Sequence, residues 1–78
     1  MNAKHSPNAA EQAVSAAHAA NDRAELARLY GEAADRFAAE GDVDRACFFY
    51  THAFVHALED GAPSAIHYER ILRKYGRQ

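Results

Sequence analysis

Two histidines, His52 and His56, stand four residues apart in the run Ala46 to Leu58, Ala-Cys-Phe-Phe-Tyr-Thr-His-Ala-Phe-Val-His-Ala-Leu. On a helix that spacing puts both imidazoles on one face. A metalloprotease site built on such a pair needs a Glu directly after the first His as general base; Ala53 stands there instead. A metal site needs three or four ligands. Glu59, His67 or a second subunit could supply the rest, although no spacing demands it. The pair is therefore read first as a solvated stripe that, with Arg45, makes up the polar side of its helix. The alternative is the nucleus of a small metal- or ligand-binding regulatory protein. Cys47 could act as a nucleophile only as a thiolate, which requires a depressed pKa and access. Inside so apolar a run it is better read as a small buried hydrophobe, and a dyad with His52 or His18 has no supporting motif. The chain contains no serine elbow, phosphate loop or dinucleotide fingerprint. Its Asp and Glu residues fall at helix caps and exteriors, and nothing pairs them as acid and base. The expectation is a non-enzymatic protein without a cofactor.

The element that would carry these side chains is the run itself. It holds no Gly or Pro, so nothing breaks a helix there, and it falls short of the ~20 apolar residues that span a bilayer. Wound at ~100° per residue, Ala46, Tyr50, Ala53, Phe54 and Ala57 form one face. Phe48 and Val55, seven apart, extend the apolar surface round the side. Such a helix must be contacted from more than one direction, as the central member of a small helical array.

Its neighbours follow from periodicity and caps. Residues Met1 to Ser6 form a polar arm, taken as flexible, and the domain runs from Pro7 to Gln78. Ser6-Pro7 starts a first helix, with Ser as N-cap and Pro at the first helical position, and an alanine-rich face continues to about Ala20. Small side chains permit close approach but offer little area, so this helix should be the least firmly docked. Asp22 caps a second helix over Arg23 to Glu40, with Glu25 completing a capping-box-like pair. Leu26, Leu29, Tyr30, Ala33, Ala34 and Phe37 share its apolar face. Gly31, in mid-helix, costs about 1 kcal/mol against Ala, which is either tolerated drift or room for a neighbouring backbone or a ligand. Gly41 ends this helix as a left-handed residue and Asp42 caps the third, which runs to about Glu59. Gly61 stops it. Pro63 or Ser64 opens a fourth helix carrying Ala65, Ile66, Tyr68, Ile71, Leu72 and Tyr75. No alternating strand pattern occurs. The fold class expected is all-α, three to four antiparallel helices joined by short connections.

Composition bounds the function. With 78 residues and one Cys, the chain makes at most one domain, has no disulfide framework or multi-cysteine zinc site, and is marginal alone. Small unstapled chains often gain stability by association. A net charge of -2 lacks the clearly positive balance expected of a nucleic-acid footprint; the cluster Arg70, Arg73, Lys74 and Arg77 suits a helix C-terminus. No apolar leader, membrane span or lipidation motif is present. A cytoplasmic protein with neither nucleic-acid nor membrane partners is expected.

From Ala27 to Asp60 the chain resembles a tetratricopeptide repeat, a helix-turn-helix unit of about 34 residues. Tyr30 stands at the opening aromatic, Ala33-Ala34 at the Leu-Gly pair, Phe37 at the first-helix Tyr, and Gly41-Asp42 at the turn. Ala46 is the small residue early in the second helix, Tyr50 the aromatic four later, and Ala53-Phe54 the next small-large pair. Leu58 replaces the closing Pro. The match covers about half the chain as a single repeat, whereas about three normally build a continuous core. The first helix could serve as part of a degenerate preceding unit and the fourth as a capping helix. A three- or four-helix bundle that binds trafficking-related peptides shows the same spacing.

The resemblance implies peptide binding on the concave face formed by the first helices of the repeats, here at Arg28, Gly31, Glu32, Asp35 and Ala39 of the second helix. The family's Lys/Asn clamp for a C-terminal carboxylate is not carried over, because Gly31, Glu32 and Asp35 stand there; a basic or neutral partner fits better. Phe48 and Val55 are apolar where the repeat is usually polar, so the first or fourth helix, a homodimer contact or another partner must cover them. The function expected is a small protein-protein interaction module that binds a peptide or helix of a partner, with homodimerisation as one form of that binding.

Overall fold

The computed structural model describes residues 9–77, which form four helices and no strand: α1 (Ala9–Ala19), α2 (Arg23–Ala39), α3 (Val43–Asp60) and α4 (Ser64–Lys74). The all-α class is as expected from sequence. The arm and the helix start at Ser6-Pro7 lie outside the described residues. Local chemistry sets the boundaries. The Asp22 carboxylate accepts from the Glu25 backbone N–H at 3.1 Å, and that of Asp42 from Arg45 N–H at 3.2 Å. Each thereby satisfies one of the orphan donors of a helix start. At the end of α2 Gly41 takes φ 81°, and the N–H groups of Gly41 and Asp42 bond back to the carbonyls of Ala38 and Phe37, the Schellman closure that Gly favours. Gly61 closes α3 in the same conformation, at φ 71°. Pro63 heads α4 with no side-chain cap.

Consecutive helices pack in chain order, and the residue pairs that meet show their direction. Tyr30 stacks on His56 and Phe37 on Phe49, while Tyr50 reaches Asp35; numbers rise on α2 as they fall on α3, so the two are antiparallel. Asp44 meets Arg77 and Tyr50 meets Tyr68, which makes α3 and α4 antiparallel too. The α2–α3 seam closes over Ala34, Ala46 and Ala53, each fully buried. Without long side chains at these points the two backbones draw close. The assembly is flattened, with principal extents of 44 × 29 × 13 Å. α4 packs over the α2–α3 seam through Tyr68 and Leu72. Among the described residues Leu26 and Leu72 are the only large side chains fully buried. Also among them, no helix is long and apolar enough to cross a membrane.

Candidate interaction surface

Three features of α2 and α3 were singled out by sequence, and the structure places them differently. The first is the histidine pair. Tyr30 projects from α2 across α3, and its ring stacks on His52 at 5.1 Å, on His56 at 5.5 Å and on Phe49 at 5.9 Å between centroids. Phe49 stacks in turn on Phe37, and the Arg45 guanidinium lies over Phe37 at 5.2 Å. His18 of α1 closes the column, with Nε2 3.3 Å from the Tyr30 hydroxyl and its ring edge-on to His56. The expected solvated stripe is thus corrected: His56 is buried, His52 half-buried, and both serve as flat packing partners for Tyr30. Among the described residues no group of three or more His, Cys, Asp and Glu side chains is arranged to hold a metal ion. Cys47 is free and buried, as expected of a small hydrophobe.

His56 carries an electrostatic consequence. Its Nδ1 is buried without a hydrogen-bond partner, because the nearest carboxylate, Glu59 at 3.8 Å, is held by Arg23 at 2.9 Å. Burial pushes the imidazole pKa down, Glu59 pulls it partly back, and Arg23, His18 and His52 add to the depression. The unfolded chain, with His56 near its ordinary value of about 6.5, therefore binds a proton that the folded chain refuses. That contribution to stability is complete above the unfolded value and is lost as pH falls toward the depressed folded value. The melting temperature should drop between pH 7.5 and 5.5, and less so in His56→Phe, which keeps a ring against Tyr30 but cannot titrate. Equal drops in the two proteins, followed by circular dichroism, would show that His56 is not the group responsible.

The second feature is the α2 face expected to receive a peptide. Arg28 donates from Nε to Glu25 at 2.9 Å and from Nη1 to Glu32 at 2.7 Å. The bond from Arg28 holds the Glu25 carboxyl below its usual range. Asp35 accepts from the Tyr50 hydroxyl; burial first, and then this carboxylate, raise the Tyr50 pKa. Gly31 is not open to a ligand at all. It is buried under Tyr68 of α4, whose hydroxyl also donates to the Ala27 carbonyl at 3.4 Å. The close approach that the glycine allows is made by a side chain of the same chain. Arg28, Glu32, Asp35 and Ala39 remain exposed, but as an internally paired, charged surface.

The third feature is the shoulder of α3. Neither α1 nor α4 covers it: Phe48 is 58% exposed and Val55 42%. Leu58, overlooked in the sequence because it stands where the repeat has Pro, is 56% exposed and extends the same line. The 3- and 7-residue offsets among 48, 55 and 58 carried that signal. Ile66, expected on the apolar side of α4, is 55% exposed, while Ala65 and Leu72 take the buried positions. The Phe48 ring lies edge-on to both Phe49 and His52, so the aromatic column holds its inner edge while its outer face stays in solvent.

No family model matches this chain, and the comparisons with curated proteins and with solved structures returned no match.

Proposed function

We propose that the chain is a small non-enzymatic protein-interaction module, tetratricopeptide-like in its α2–α3 hairpin, that receives a helix or peptide of a protein partner. The observation that carries this is the line of Phe48, Val55 and Leu58 along α3, large apolar side chains left in solvent by the neighbouring helices of their own chain. Soluble proteins keep contiguous apolar surface small, and an unexplained stripe marks a contact site. The α2 face at Arg28, Glu32 and Asp35 flanks the hairpin as a charged border rather than as its main docking surface. A reducing, cytoplasmic setting suits the single thiol of Cys47.

The test is retention of partners from the source cells by the immobilised protein. The double variant Phe48→Asp/Leu58→Asp changes exposed positions, so the fold should be kept and its melting temperature should fall only by the loss of the Phe48 contacts with Phe49 and His52. Proteins held by wild type and by the α2 variant Glu32→Gln, but released by the double variant, are the expected result. Identical sets on all three baits would overturn the assignment to α3.

A further inference from the structure

The exposed side chains of α3 follow a repeat. Phe48, Thr51, Val55 and Leu58 are all solvent-exposed, and their offsets of three, four and three residues follow the a/d alternation of the heptad in a two-helix seam. The seam runs over ten residues, about 15 Å of helix. Resting on the reading of α3 as a docking surface, we propose that its occupant is α3 of a second copy of this chain, antiparallel about a two-fold axis, with Phe48 against Leu58 and Thr51 against Val55 of the other copy.

The charges beside the seam select this partner and this direction. Arg45, His52 and Glu59 lie at seven-residue intervals along one flank, positive at the N-terminal end and negative at the C-terminal end. On the other flank Cys47, Phe54 and Gly61 are uncharged. Asp44, at the head of the seam, is already held by Arg77 at 2.9 Å. In an antiparallel pair with Phe48 level with Leu58, like flanks face one another and Arg45 of each copy comes within two residues of Glu59 of the other, about 3 Å along the axis. A parallel pair would set each charge level with its own copy. Pairing across the seam competes with modest contacts: Arg45 reaches Asp42 at 3.6 Å and lies over the Phe37 ring at 5.2 Å, and the Arg23–Glu59 pair is about half exposed. Rim charges of this kind fix register and orientation more than affinity. The seam is narrow against a standard interface of ~800 Å² per partner, so the dimer is a weak one, populated at tens to hundreds of micromolar.

Sedimentation equilibrium of the full chain from about 10 µM to about 1 mM tests this. Wild type should pass from monomer to dimer. Arg45→Glu makes both ends of the flank acidic and Glu59→Arg makes both ends basic, so each variant alone should dimerise at least about five-fold more weakly. An equimolar mixture of the two should recover wild-type association, because every contact is again between opposite charges. Wild type that remains monomeric to 1 mM overturns the inference, as does a mixture no better than its components. Either failure leaves the broader docking role of α3 to the retention experiment above, which reads the release of other proteins. Should one variant unfold, Arg45→Gln and Glu59→Gln replace the pair: each must weaken the dimer, and unchanged association in either overturns the register.

Discussion

Replacing Leu72 by alanine should lower the unfolding free energy by about 3–5 kcal/mol, the upper part of the range for truncating a core leucine. Leu72 is 1% exposed and enters the α2–α3 seam from α4, meeting Ala34, Ala46, Cys47 and Tyr50. Cost at fixed chemistry depends on how far the surroundings can collapse into the space left behind. Alanine side chains have no rotamers with which to reach, and Tyr50 is held by its hydrogen bond to Asp35. The hole should therefore persist. A chain of 78 residues has about 4–12 kcal/mol of stability to lose, so the substitution should consume much of it and free α4 first. Leu72→Met, which conserves volume, should cost less than ~1.5 kcal/mol. Ile66→Ala, on the exposed side of the same helix, should stay within about 0.5 kcal/mol of wild type. Urea unfolding of the three variants supplies the comparison. A loss below about 1.5 kcal/mol for Leu72→Ala would mean that α4 is anchored elsewhere.

What could be read in the sequence follows the range of the forces involved. Helix ends depend on neighbours three or four residues away, and Asp22, Gly41, Asp42 and Gly61 act where their types and spacing place them. The buried face of α3, Ala46, Tyr50, Ala53 and Ala57, is likewise a property of one periodic segment. The histidines are different. Four-residue spacing places His52 and His56 on a face, but whether that face meets water or a ring depends on Tyr30, more than twenty positions earlier, and on His18 from α1. Imidazole packs flat on an aromatic surface as readily as it ligates a metal, so residue type alone does not decide between them. The cover of Phe48 and Val55 is also a tertiary matter. α4 crosses α3 on the side of Cys47 and Tyr50, led there by Leu72, and so leaves the shoulder bare. No described helix lies across it, and Phe48 and Val55 stay 58% and 42% exposed.

Gly31 and Tyr68 form a pair that neither segment announces, and their coupling should reverse the sign of a mutation. Tyr68→Ala alone should cost about 2–3 kcal/mol, somewhat less than truncation of a fully buried aromatic, because the ring is half-buried and packs against both core clusters. In an ordinary exposed helix Gly31→Ala would gain about 1 kcal/mol from backbone entropy. Here a methyl group at Gly31 would fall 2.8 Å from Cζ and 2.9 Å from Cε1 of Tyr68, and closer still to its hydroxyl. The ring must move, giving up its bond to the Ala27 carbonyl and shifting the start of α4. Overpacking of this kind costs about 1–3 kcal/mol, so in the wild-type background Gly31→Ala should destabilise by about 1 kcal/mol net. In the Tyr68→Ala background the space is empty and the helix gain stands alone, so the same substitution should stabilise by about 1 kcal/mol. The resulting interaction energy of about 2 kcal/mol lies within the span found for residues in direct contact. A stabilising Gly31→Ala in the wild-type background would instead mean that Tyr68 swings away freely, and that the seat of α4 on α2 is held by Leu72 without it.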